Sequence, residues 1–327
     1  MKFAVYGAGA VDAVIAARLS AAGEEVALIA RGEHLAAIRQ RGLLVRSKVF
    51  GDMECRPAAA ENPAEIGPVD VVLLTVKAHA LTAIAPKLSP LLGAETALVS
   101  FQNGLPWWYF HGAGGRWEGG KLESVDPGGV IAQHIDIDRV IGGLAYCSST
   151  LLKPGVVDHL EGHRFPIGEP RGGTTERTRR IATSFTAAGL KCPIRSDMRR
   201  EIWVKLMGNA PLNPVSAITR APLDRILANP ATRRLVAGIM DEVRAVAGAV
   251  GVETAVTTEQ RIAGAEGVGP HKTSMLQDLE AGRDPEIEPI VGAVLEVAAK
   301  ANVPAPQLQA VYACAKLLFE QQLSGRI

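Results

Sequence analysis

Gly7-Ala8-Gly9-Ala10-Val11-Asp12 follows a short β-branched and aromatic run and opens an alanine-rich stretch. Glycines at this spacing, between a strand and a helix, let backbone N–H groups approach a dinucleotide diphosphate. The anion then sits on the positive end of the helix. The third position, usually glycine for close helix–strand packing, is Asp12. At an effective dielectric near 20, its charge and a phosphate ~5–6 Å away repel by about 3 kcal/mol. That is worth roughly two decades of affinity. As a first-turn acid, the same carboxylate favours the helix dipole. NAD sites usually place an acid after the second strand to bind the ribose 2′-hydroxyl. Here Arg31 stands in that region, and a guanidinium fork suits a 2′-phosphate. The pair of motifs therefore points to NADP(H).

Three more segments carry polar groups where ligands of open α/β sheets bind. Lys77, in TVKA, and Asn103, in FQNG, each follow an apolar run, which puts both at the carboxyl edge of the predicted sheet. Lys205, Asn209 and Asn213 recur at i, i+4 and i+8 among Trp203, Leu206, Met207 and Leu212. On one helix they span roughly 80° of arc, a polar stripe that a solvated face explains poorly. Pro211 and Pro214 predict that this helix bends or ends near Asn213. Ser274 begins an S-x-x-Q capping box, and Glu286 precedes a helix start, so each has an ordinary structural reading.

The elements that position these residues fall into two textures. Up to about residue 195, apolar runs at 2–6, 25–30, 69–75, 96–101 and 140–146 alternate with helical stretches. This is the pattern of parallel strands covered on both faces. Segments 155–159 and 164–167 predict an edge hairpin, and a helix (174–188) and a strand (190–194) close this half. Beyond it, 201–209, 223–227, 232–250, 255–263, 287–301 and 306–322 read as helices without a strand among them. The expected architecture is α/β: an N-terminal Rossmann-type dinucleotide-binding domain, 1–195, followed by an all-helical substrate-binding domain, 196–327. Residues 107–129 form a glycine-rich insertion longer than most loops.

Composition narrows the function. The chain has 327 residues, 47% hydrophobic, with 35 basic and 34 acidic side chains. Two domains fit that length, and the near-neutral balance gives no electrostatic case for nucleic acid or an anionic membrane. No apolar run reaches the length of a membrane span, and the first residues do not read as a signal peptide. Four scattered cysteines lack metal-ligand or disulfide spacing, so buried, reduced thiols, no metal site and a cytoplasmic location are expected. Periodicity does not separate a helical face buried in a homodimer from one buried within the chain.

GAGAV, LIARGEH, TVKA, FQNG, WVKLMGNAPLNPVSAIT and TSMLQDLEAGR followed by EIE occur in this order. Together they resemble the ketopantoate reductase (2-dehydropantoate 2-reductase) family over nearly the whole chain. The lysine–asparagine block and SMLQD-x-x-x-GR are the specific elements. The resemblance implies NADPH-dependent reduction of a small 2-oxo acid, 2-dehydropantoate, to pantoate, on the route to coenzyme A, with the substrate between the two domains. Matched position by position, Lys205 is the catalytic lysine that donates to the ketone oxygen, and Glu286 supports the proton transfer. Asn209, Asn213 and Ser274 contact substrate, and Lys77 and Asn103 lie near nicotinamide and substrate. Asp12 and Ala13 stand where the family usually shows glycines, Glu288 where it has aspartate, and Val291 where asparagine is common. Two alternatives follow from these departures. Trp107, Trp108 and Val291 suit a paralogue reducing a bulkier 2-oxo acid, and Asp12 suits a non-catalytic Rossmann protein with impaired cofactor binding.

Overall fold

The computed structural model describes residues 1–325. Strand β1 (Lys2–Tyr6) lies inside a seven-stranded sheet in the order β11-β8-β7-β6-β1-β2-β5. It pairs with β2 (Glu25–Ile29) and β6 (Val69–Leu74), and the sheet continues through β5 (Ala58–Ala60) beyond β2 and through β7 (Leu92–Ser100) and β8 (Val140–Gly143) beyond β6, all parallel. The two-residue β11 (Ile167–Gly168) is the antiparallel edge. Parallel strands with both faces covered have little room for polar residues: Phe3, Val5, Val71, Leu73, Val99 and Ile141 all lie in one core with Val14, Ile15 and Leu19 of helix α1 (Ala10–Ala21). Helix α2 (Gly32–Arg41) follows β2. The strand order reverses at β1, between β2 and β6, and that reversal opens the crevice where α/β sheets bind ligands.

A second sheet, in the order β4-β3-β10-β9, joins β3 (Leu43–Ser47), β4 (Met53–Cys55), β9 (Tyr146–Lys153) and β10 (Val156–Arg164). The expected hairpin at 155–159 and 164–167 is corrected here. Residues 156–164 form one nine-residue strand, antiparallel to β9 and parallel to β3. The expected strand at 190–194 is reduced to two isolated bridges, Arg164 with Lys191 and Ile167 with Ile194; Pro166 and Pro193 have no N–H to extend the ladder. Short helices α3 (Leu81–Ile84) and α4 (Val130–His134) and the longer α5 (Glu176–Ala187) complete this part.

Everything after it is helical among the described residues: α6 (Met198–Thr219), α7 (Leu223–Ala228), α8 (Pro230–Ala249), α9 (Thr258–Glu266), α10 (Ser274–Glu280), a π-helical turn (Glu288–Gly292), α11 (Ala293–Ala301) and α12 (Pro306–Leu323). The helix does not end near Asn213. Helix α6 runs on for 22 residues through Pro211 and Pro214. Residues 210–217 are buried throughout, so packing holds the helix across two missing N–H donors. The chain divides into two compact units. One is Met1–Gln102 with Phe110–Gly119 and Gly128–Met198; the other is Asn103–Tyr109 with Gly120–Pro127 and everything from Arg199. Both contain parts of the 107–129 insertion. Its aromatic start is anchored in the second unit, where the buried Trp203 Nε1 donates to the Tyr109 hydroxyl. Glu296 accepts from the Glu123 and Ser124 N–H groups at 3.0 and 2.9 Å.

The four cysteines form no disulfide. Cys192 is buried and Cys55 and Cys147 half-buried, but Cys314 is exposed, which corrects the expectation that all four are shielded. Burial pushes the Cys55 thiol up to about 11.

Candidate active site

The first unit carries the glycine loop. Gly7 has φ +127°, and a Cβ there would lie 2.5 Å from Asp12 Oδ2, so only glycine fits. Asp12 is 3% exposed. Its carboxylate is folded back beneath the loop, accepting from Gly9 N–H at 2.7 Å and from the Thr75 hydroxyl, while burial raises its pKa. The acid has thus become an internal cap of α1, in place of the close packing a glycine would give. Gly9 N–H is spent on it, whereas Ala10 and Val11 begin the helix with first-turn N–H groups that no intrahelical carbonyl reaches. A diphosphate fits these donors and the helix end. Arg31 is exposed at the start of α2, immediately beyond β2. His34, in the same helix, accepts from Gly155 N–H at 2.9 Å and sits against the Ala8 carbonyl; no sequence signal marked it. Lys77 is half-buried after β6. Gln102, at the end of β7, donates to the Leu74 and Val76 carbonyls at 2.8 and 3.1 Å and accepts from Ser100 Oγ at 2.6 Å. It therefore ties the carboxyl ends of β6 and β7 together.

The second unit brings together three of the predicted residues. Lys205 Nζ donates to Asn103 Oδ1 at 2.8 Å, and Asn103 Nδ2 donates to Glu286 Oε2 at 3.1 Å. An amide thus stands between an ammonium and a carboxylate, its two ends fixed by opposite partners. Burial pushes the Lys205 ammonium down to about 8, opposed by Glu286 and assisted by the nearby positive charge of Arg261. An acid with a pKa there is still mostly protonated at neutral pH and gives its proton up readily.

Local structure explains how these groups meet. Gly104 has φ +86°, and a Cβ there would lie 2.1 Å from the Pro289 carbonyl oxygen. The same carbonyl accepts from Leu105 N–H at 2.9 Å. Pro289 belongs to the π-turn that follows Glu286, so this contact sets Asn103 beside Glu286. The loop before Glu286 is closed by Arg283, whose Nε donates to Asp278 Oδ1 at 2.9 Å and whose N–H donates to the Asp278 carbonyl at 2.9 Å. SMLQD-x-x-x-GR is therefore a clamp that delivers the glutamate.

Asn209 and Asn213 lie on α6 one and two turns beyond Lys205, Asn213 buried and Asn209 half-buried. The expected capping box at Ser274 is corrected: Thr273 is the N-cap, its hydroxyl accepting from Leu276 N–H at 3.2 Å. Its neighbour's cap leaves the exposed Ser274 hydroxyl out of the helix start. Glu288 faces the other way, accepting from Tyr312 Oη and Lys316 Nζ at 2.9 Å. Val291, Trp107 and Trp108 are buried. Arg261, on α9, was not singled out by sequence; spacing does not reveal that it lies across α6. Among the described residues no group of side chains could hold a metal ion, and no helix is long and apolar enough to cross a membrane.

Known proteins match this chain over nearly its whole length. Residues 3–107 match the family model "Ketopantoate reductase PanE/ApbA", and 197–319 match "Ketopantoate reductase PanE/ApbA C terminal". A 2-dehydropantoate 2-reductase of Mesorhizobium japonicum is 45% identical over 97% of this chain and 98% of its own. The crystal structure of 2-dehydropantoate 2-reductase from Geobacter metallireducens superposes with a TM-score of 0.85 at 32% identity, covering 98% of this chain and 99% of that one. D-mandelate dehydrogenase, solved with NADH and anilino(oxo)acetate, shares the fold at a TM-score of 0.84 and 22% identity, covering 98% and 99% of the two chains. The two matched segments and the near-complete relatives place this chain in the ketopantoate reductase family, oxidoreductases that act on a CH–OH group and use NADPH.

Proposed function

We propose that this chain reduces 2-dehydropantoate to pantoate with NADPH, with residues 1–195 holding the cofactor and 196–327 the substrate. The observation that carries the reading is the Lys205–Asn103–Glu286 arrangement, with the lysine held near pKa 8. Gly7, Ala8, Gly9, Ala10 and Val11 would hold the diphosphate, Arg31 the 2′-phosphate, and Lys77 and Asn103 the region near the nicotinamide. When bound, NADPH supplies a hydride to the 2-oxo carbon.

The residues of the chain handle the charge that results. An ammonium has three donors, and one is committed to Asn103. In the proposed complex the ammonium faces the 2-oxo oxygen, where negative charge grows as the carbonyl π electrons move onto it. Lys205 stabilises that charge and transfers its proton, so the C–O⁻ becomes a hydroxyl and the amine is reprotonated from solvent. Glu286 keeps the ammonium charged despite burial, and Asn103 fixes its position. Asn209, Asn213 and Ser274 supply amides and a hydroxyl for the substrate's own oxygens. The reading places the enzyme in the cytoplasm.

Following NADPH oxidation with 2-dehydropantoate tests the proposal directly. Lys205→Ala should lower kcat by about 10²–10⁴-fold and leave the NADPH Kd nearly unchanged; retained turnover would refute the lysine's role.

A further inference from the structure

Arg261 lies outside the set of residues that the family resemblance brings to the site, yet its guanidinium rests on the catalytic helix. A Cβ on Gly208 would meet Arg261 Nη2 at 2.0 Å, Cζ at 2.6 Å and Nε at 2.9 Å. Gly208 is therefore the gap in α6 through which the fork packs against the helix. It is three residues after Lys205 and directly before Asn209, and residues three apart on a helix share a face. The two cations sense each other, because Arg261 is among the groups that lower the Lys205 pKa. Packing alone would be served by an apolar side chain without this repulsion.

A 2-oxo acid carries its ketone and its carboxylate on adjacent carbons. Two neighbouring cations of different shape match that pair: an ammonium acts as a point donor to one oxygen, and a planar fork takes a carboxylate bidentately. We propose that Arg261 is the carboxylate anchor of this site, pairing with the 1-carboxylate of the 2-oxo acid while Lys205 faces the 2-oxo group. This inference rests on the reductase reading and names the part of the substrate that the site selects. It carries a consequence for the lysine. A bound carboxylate offsets the guanidinium charge, so the ammonium is more fully protonated in the complex than in the free protein.

The test is calorimetric titration of oxamate, a 2-oxo acid isostere, into the NADPH-saturated protein, alongside turnover. Arg261→Gln should weaken oxamate about a hundredfold, with NADPH affinity unchanged, and Arg261→Lys should recover part of the loss. Gly208→Ala provides a second route. Alanine favours a helix over glycine by about 1 kcal/mol, so the fold should hold while the displaced guanidinium still costs oxamate about tenfold or more. Ketopantoyl lactone, which has no free carboxylate, should show the same KM in wild type and Arg261→Gln. Unchanged oxamate affinity in both variants, an equal loss for the lactone, or no oxamate binding by wild type would overturn the proposal. A protein that binds oxamate through Arg261 but does not turn over 2-dehydropantoate would instead overturn the choice of substrate and keep the anchor.

Discussion

Two ionisable side chains, Lys205 and Asp12, each weaken the proposed reaction as pH rises. Lys205 must be protonated to act as an acid, and its pKa is about 8. The kcat for reduction should therefore fall as pH rises through that region, and the oxidation of pantoate, which needs the neutral amine, should rise over the same interval. Initial rates in both directions across pH 6–10 check this; parallel limbs would exclude Lys205 as the titrating group. Asp12 acts at the cofactor. Burial raises its pKa while Gly9 N–H and the Thr75 hydroxyl stabilise the anion. NADPH affinity should decline as pH rises through the aspartate's elevated pKa, because the ionised form adds a charge near the diphosphate. Asp12→Asn keeps the shape and should flatten that dependence, while Asp12→Gly should tighten binding by up to roughly the two decades that a 3 kcal/mol repulsion represents. NADPH titrations of the three proteins at several pH values decide it; identical Kd values would show that the cap shields the cofactor from this charge.

At the scale of elements, the site depends on a loop seated against a π-turn. Gly104 meets the Pro289 backbone where no side chain fits, at φ +86°. Gly104→Ala should cost about 2–4 kcal/mol from combined backbone strain and overpacking. It should also lower kcat by separating Asn103 from Glu286, and denaturant midpoints with steady-state rates measure both; unaffected turnover would mean that the loop does not set the geometry. Sequence reading reached this region unevenly. The central strands were legible because burial on both faces makes them continuous apolar runs, and β1 was found to the residue. The second sheet was not. Its strands β9 and β10 are half-exposed, with Ser148, Ser149, Asp158 and Glu161 breaking the apolar run, and β10 pairs with β3 across more than a hundred residues. No local period carries such a pairing. Lys205 and the two asparagines stood out as a stripe on one helix, but Asn103, Glu286 and Arg261 reach Lys205 only through tertiary contacts. Family resemblance supplied the first two; nothing in the spacing supplied the third.

For the molecule as a whole, a net charge of +1 means that no global field draws in a polyanionic cofactor. Attraction must come from a few local cations, and they differ in exposure. Arg31 is exposed at the start of α2, while Lys205 and Arg261 are half-buried. Salt screens exposed charges over about 10 Å at 0.1 M and buried ones much less. The NADPH Kd should therefore rise with ionic strength, whereas oxamate affinity should change little. If Arg31 reads the 2′-phosphate, Arg31→Ala should remove most of that salt dependence and most of the preference for NADPH over NADH, because NADH lacks the group the guanidinium binds. Oxamate binding should be untouched, since oxamate has no phosphate for Arg31 to pair with and its carboxylate is assigned to Arg261. Calorimetric titrations of NADPH, NADH and oxamate at 0.05 and 0.5 M salt measure all three quantities. A variant that keeps both the salt slope and the cofactor preference of the wild type would move 2′-phosphate recognition away from Arg31 and onto another cation, with Lys77 the next to examine.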